Sequence, residues 1–210
     1  MYDTIIERST TLVAAERAAI DCIGNVIRTP EYSALVSFLY QSSIGGARLV
    51  ITGVGKNANI ATKISETMAS LGVPSFYLNT SHVSHGDYGF LAIKDIVIHI
   101  SRSGTTQEML DVCKYLNDSK LVTAQVLIHC NPEIPRNPNV TMEICTGKVK
   151  EGDKHSLAPT SSTTALLCLL DAIAVTISDL RGFERFDFLK LHPCGALGAQ
   201  LRKEQQNAKI

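Results

Sequence analysis

"DIVIHISRSGTTQEML", residues 95–110, holds two kinds of structure joined almost without a spacer. Ile96, Val97, Ile98 and Ile100 form a β-branched run with little polar alternation, the pattern of a strand covered on both faces. "TTQEMLDVCKYLN" (105–117) then reads as a helix. Between them the chain places Ser101, Ser103, Gly104 and Thr106. A strand-to-helix turn exposes the unpaired N–H groups of the helix start, and added hydroxyls turn that start into a cup for a phosphate or similar anion. A single hydroxyl suffices for capping, which contributes ~1 kcal/mol. Three with a glycine exceed that need. Arg102 sits inside the turn, where it either adds charge to the cup or points to solvent.

The same alternation continues on both sides. "RLVITGVG" (48–55) is a strand ending in glycines, and "KNANIATKISETMASLG" (56–72) is a helix with Ile60, Ile64, Met68 and Leu71 in one stripe and Gly72 as its stop. "PSFYL" (74–78) is a strand followed by the polar loop "NTSHVSHGDYG" (79–89), "VTAQVLIHC" (122–130) is another strand, and a short one lies near Val140 to Cys145. Strands alternating with helices, apolar throughout, imply a parallel sheet covered on both faces. Residues 3–28 and 31–44 carry helical spacing on either side of Pro30, an N-terminal arm over 1–47 ahead of a core over 48–201. "APTSSTTALLCLLDAIAVTISDLRG" (158–182) is a helix apolar on nearly every side, expected in the middle of something such as a subunit interface. With no linker or repeat, 1–210 reads as one domain.

Lys and Arg total 20 and so do Asp and Glu, so no cationic field is available to gather nucleic acid or an anionic membrane surface. Residues 1–47 hold three arginines, no lysine and five acids, a poor footprint for DNA. The expected partner is a small molecule. Six scattered cysteines without a C-x-x-C pair or a secretory signal fit reduced thiols in a cytoplasm. The longest apolar run, Ala165 to Ile177, is interrupted by Asp171 and falls short of the ~20 residues a membrane helix needs.

"GVGKNA" superficially matches the dinucleotide pattern, yet the next strand ends "FYLNTS" with no acid for a ribose, and the Walker spacing is absent. Lys56 then reads as one ammonium at the sheet edge, near the hydroxyl turn. "PTSSTT" (159–164) opens the long apolar helix, as caps or as a second hydroxyl cluster. His82 and His85 with Asp87 lack a clear third ligand for zinc, so no metal is expected. His99 and His129 lie inside strands and read as structural.

Taken together, "GVGKNANIATKISETMASLGVPSFYLN", "HGDYGFL", "DIVIHISRSGTTQEML", "LAPTSSTTALLCLLDAIAV", "RGFERFDF" and "HPCGALGAQL" resemble, in order from about residue 48 to 201, the sugar isomerase (SIS) domain of the arabinose 5-phosphate isomerases. The resemblance implies a doubly wound, flavodoxin-like α/β fold with a five-stranded parallel sheet. It also implies interconversion of D-arabinose 5-phosphate and D-ribulose 5-phosphate on the way to the Kdo sugar of lipopolysaccharide, no cofactor, and a homotetramer. The family's lysine falls on Lys56, its loop histidine on His85, its glutamates on Glu108 and Glu151, its late histidine on His192, and its phosphate turn on Ser101, Ser103 and Thr106. Gly55, Asn57, Ser161 and Ser162 are expected as further substrate contacts. Family members usually carry Glu at His82, Asn at Arg102 and Gly at Cys194, and a more apolar stretch at "EGDKHS". The paired CBS domains of many relatives are not in this sequence, so nucleotide regulation through them is not expected.

That chemistry suits the residues. Moving a carbonyl between C1 and C2 needs a base beside the carbonyl, a cis-enediolate, and an acid on the oxygens. Glu151 is the expected base, Lys56 the stabiliser of the enediolate oxygens, and His192 the group for ring opening or proton relay, in its own site or a neighbouring subunit's. Glu108 otherwise reads as a first-turn acid favoured by the helix dipole, and His85 as a structural histidine.

Overall fold

A computed structural model describes residues 1–207. Two helices come first, α1 (Tyr2–Val26) and α2 (Pro30–Ile44), and the core follows as β1 (Leu49–Gly53), α3 (Lys56–Ser70), β2 (Ser75–Tyr77), β3 (Ile96–Ser101), α4 (Gln107–Ser119), β4 (Ala124–His129), β5 (Met142–Cys145) and α5 (Ser161–Leu180). The chain ends in α6 (Arg185–Leu191) and α7 (Gly195–Asn207). Two short 3₁₀ turns, Val83–His85 and Asp87–Phe90, occupy the expected polar loop.

The five strands pair in parallel in the order β2-β1-β3-β4-β5, the flavodoxin order. β3 is central and wholly buried because both its faces are covered. Ile96, Ile98 and Ile100 point into the larger core with Leu49, Ile51, Val126 and Ile128, beneath α1, α2, α3 and α5. Val97 points the other way with Val50 and Leu78, beneath Val112 and Leu116 of α4. Each buried aliphatic side chain contributes ~1.5–3 kcal/mol relative to exposure. His99 shares the α4 face and is satisfied at Nε2 by the Gln125 Oε1 at 2.9 Å. Burial lowers its pKa to about 4, so it stays neutral, a structural histidine as expected.

α5 meets the core along one face. It is 20 residues long, enough by length and composition to cross a bilayer, yet Leu166, Leu169, Leu170, Ile173 and Ile177 are completely buried against the core while Val175 and Leu180 are about half exposed. Its apolar surface is therefore a stripe packed mainly on α1 and α3, with an outer face left open. At the amino edge of the sheet, Arg48 grips the buried Asp95 from two nitrogens, at 2.9 and 2.6 Å, and ties β1 to β3.

Candidate active site

The order of the strands reverses between β1 and β3, so the turns leaving their carboxyl ends splay α3 and α4 to opposite faces and open a crevice. On the β1 side, a Cβ on Gly53 would meet the Asn57 backbone at 2.9 Å, and Gly55 has φ +61, so only glycines allow the chain to turn this tightly. That turn presents Lys56, exposed, as the first residue of α3. Thr52 Oγ1 donates to Leu78 O at 2.7 Å and lies 2.6 Å from Thr80 Oγ1. This staple fixes where the loop bearing His85 leaves the sheet.

On the β3 side the hydroxyls gather. Ser101 Oγ lies 3.1 Å and Ser103 Oγ 3.5 Å from Thr106 Oγ1. Ser101 Oγ accepts from Gly104 N at 3.0 Å, and Ser103 Oγ from Thr105 N at 3.2 Å. Thr106 occupies the N-cap position of α4 but makes no capping bond, so the first amides of the helix keep no side-chain acceptor. Gly104 has φ +69 and packs directly under Ile134, while Asn131 Nδ2 donates to Ser103 O at 3.3 Å. Neither Asn131 nor Ile134 was expected at the site, since nothing in "NPEIPRNPN" marks a loop folding back over a turn nearly thirty residues earlier.

Glu151 is the most heavily bound candidate. Its side chain is fully buried; Oε2 accepts from Thr160 N at 2.9 Å and Ser162 N at 3.2 Å, Oε1 accepts from the Ser162 hydroxyl, and Arg102 Nε lies 2.8 Å from Oε1. It thereby caps α5 in place of Thr160, whose own side chain does not. Burial pushes its pKa up, but the bonds from Ser162 and Thr160, with Arg102, outweigh burial and hold the carboxyl below its ordinary range. Ser162 is thus committed to Glu151, while the buried Ser161 hydroxyl has no partner among the described residues.

Glu108 is exposed on the first turn of α4, as read, and His85 is exposed at the end of its 3₁₀ turn. Two grooves divide the acids. One of ≈ 550 Å³ lies between α4 and the 80–88 loop and is lined by Glu108, Asp111 and Ser84. Another of ≈ 760 Å³ lies between α1 and residues 150–154 and borders Glu151.

His192 stands apart. α5 starts at the crevice and ends about 30 Å away, where Ser178 Oγ donates to Leu71 O and Phe183 packs on Gly72, behind the far end of α3. The seven residues of α6 reach back only about 10 Å. His192 follows them with its ring stacked on Phe188, centroids 3.8 Å apart, and Nδ1 3.0 Å from Phe188 O. A carbonyl accepts, so Nδ1 carries the proton and Nε2 is left as an acceptor. α5 therefore carries the chain away from the crevice before α6 and His192 follow. Among the described residues no three His, Cys, Asp or Glu side chains are placed to hold a metal ion, and His82 Nδ1 lies 3.5 Å from Asn79 Nδ2.

The sheet order, the crevice and the hydroxyl turn define a doubly wound α/β domain whose crevice opens beyond the strand ends, where such folds hold their ligands. Residues 45–176 match the SIS domain, and the chain belongs to that family. It is 38% identical over 154 residues to the arabinose 5-phosphate isomerase KdsD of Yersinia pestis, covering 73% of this chain and 46% of that protein. An uncharacterized protein of Rickettsia prowazekii is 33% identical over 91% of this chain and 58% of its own length. The chain thus spans about half the length of these curated relatives. Among solved structures, an Escherichia coli CFT073 protein in complex with arabinose 5-phosphate superposes with TM-score 0.81 at 32% identity, covering 92% of this chain and all of that one. A Bacteroides fragilis protein described as a putative phosphosugar isomerase involved in capsule formation superposes at 0.82 with 28% identity, over 90% and 97% of the two chains.

Proposed function

We propose that this protein is an aldose–ketose isomerase that interconverts D-arabinose 5-phosphate and D-ribulose 5-phosphate through a cis-enediolate. The observation that carries the reading is the turn at Ser101, Ser103 and Thr106. Its three hydroxyls converge on one another and leave the α4 amides uncapped, an arrangement that serves an anion better than it serves the helix. Relatives whose names include arabinose 5-phosphate isomerase, and the structural relative holding that sugar phosphate, support the choice of substrate.

In this reading the 5-phosphate docks at the hydroxyl turn with Gly55, Asn57 and Ser161 as nearby contacts, and the sugar extends towards Lys56, Glu108, His85 and Glu151. Lys56 offsets the negative charge that appears on O1 and O2 in the enediolate. Glu151 takes the proton from the carbon beside the carbonyl and returns it to the other. Its low pKa keeps it ionised at neutral pH, with the Ser162 hydroxyl donating to it. Protons only change place, so the reaction as written draws on no redox partner. His192 Nε2 serves ring opening in the crevice of a neighbouring copy of the chain, a reading supported by its place after α6, beyond the far end of α5, and in keeping with a homotetramer. A cytoplasmic site and a role in supplying Kdo synthesis belong to the same proposal.

Purified protein incubated with arabinose 5-phosphate, without added metal or nucleotide, is expected to form ribulose 5-phosphate in a coupled assay. A panel with hexulose and heptose phosphates alongside identifies the preferred sugar. Turnover of another phosphosugar with none of arabinose 5-phosphate overturns the assignment while leaving the phosphate turn intact.

A further inference from the structure

Two negative groups must share the mouth of the sheet if the proposed function holds: the buried, ionised Glu151 and the incoming phosphate dianion. The hydroxyls of Ser101, Ser103 and Thr106 are neutral, and the α4 terminus supplies only about half a positive charge. Lys56 belongs to a different turn, on β1. The cation between the two anions is Arg102, a member of the phosphate turn itself, flanked by Ser101 and Ser103.

Its geometry fits a shared duty. Arg102 approaches Glu151 through Nε, 2.8 Å from Oε1, and its side chain remains 44% exposed while that of Glu151 is 0% exposed. The terminal nitrogens, Nη1 and Nη2, donate no hydrogen bond among the described residues. The peptide is fixed, since Arg102 O accepts from Cys130 N at 3.0 Å. A guanidinium presents five donors in a planar fork, so one edge can stay on a carboxylate while the remaining donors take a phosphate in two parallel bonds.

We propose that Arg102 is a specificity-determining residue that bridges two anions, its Nε holding the Glu151 carboxylate and its terminal nitrogens gripping the phosphate monoester seated in the hydroxyl turn. The inference rests on the phosphate-binding reading above and adds the residue that selects for ligand charge. The bridge removes the repulsion that Glu151 otherwise exerts on the ligand, and it couples phosphate docking to the placement of the proposed base.

Titration calorimetry with inorganic phosphate tests it directly, on the full-length chain and its Arg102→Gln and Arg102→Lys variants, with thermal unfolding followed in parallel. Arg102→Gln is expected to weaken phosphate binding by about 10-fold or more, since charge-assisted bonds and a screened carboxylate are both lost. Arg102→Lys, which keeps the charge but not the fork, is expected to recover part of that loss. With the sugar phosphate as substrate, the same order is expected in KM. A residue that only clasped Glu151 would lower the unfolding temperature and leave phosphate affinity alone. Wild-type affinity in Arg102→Gln therefore overturns the bridge, as does wild-type affinity in Arg102→Lys if the glutamine variant does not fold. A wild-type chain that binds no phosphate brings down the hydroxyl-turn reading and this inference with it.

Discussion

Glu151 shows how much a single side chain is asked to do. It caps α5, pairs with Arg102 and is proposed to carry the proton, and these duties separate on substitution. Glu151→Gln is expected to lower turnover by about 10²–10⁴, measured by the coupled assay. Because the folded carboxyl has a pKa below its unfolded value, its contribution to stability is complete above the ordinary carboxylate range and is lost as pH falls through the folded pKa. Wild-type protein is expected to lose stability in acid more steeply than Glu151→Gln, as read from unfolding midpoints between neutral pH and mild acid. His99 acts earlier in the same direction. Its folded pKa of about 4 lies below the ordinary 6.5, so the unfolded chain binds the extra proton first, and up to about 3 kcal/mol is lost as pH falls between those values. His99→Gln, whose amide stands in for Nε2 towards Gln125, is expected to flatten that slope. A slope identical to the wild type's would mean that His99 titrates like a solvated imidazole. The neutral His99 was legible from its place inside "IVIHIS", whereas the Arg102–Glu151 pair was not, because nothing local relates residues 49 positions apart.

At the level of elements, the informative contrast is between two threonines at helix starts. Thr29 caps α2 by accepting from Tyr32 N at 3.3 Å, and Thr29→Ala is expected to cost about 1 kcal/mol of stability in denaturant unfolding. Thr106 holds the equivalent position on α4 without that bond. Thr106→Ala is therefore expected to change stability by well under ~1 kcal/mol while raising KM for the sugar phosphate several-fold. A Thr106→Ala variant as destabilised as Thr29→Ala, with KM unmoved, would return the turn to ordinary capping. Strands and helices of the core were readable from periodicity because each β-strand here is apolar and punctuated by glycine or a polar turn. α6 and α7 were not legible as helices. α6 has only seven residues, α7 carries a weak apolar stripe, and the two pack mostly on each other, so local pattern gave them little signal.

For the molecule as a whole, the proposed reach of His192 into a neighbouring crevice makes assembly part of the chemistry. Lys56→Ala and His192→Ala proteins, each expected to be nearly inactive, should regain activity on mixing and subunit exchange, towards roughly a quarter of the wild-type level if each site draws the two residues from different copies. No recovery after verified exchange overturns the shared site. The amino-acid sequence by itself determined the α/β class, the parallel sheet, the helical arm and the hydroxyl-rich turn, because hydrophobic period and turn chemistry act over a few neighbouring residues. Only the tertiary structure decided that Arg102 meets Glu151, that Ile134 closes over Gly104, that α5 keeps an open outer face, and that His192 stacks on Phe188. Those outcomes depend on how far each helix runs before the chain turns back, a sum of lengths and packing angles that no local pattern records.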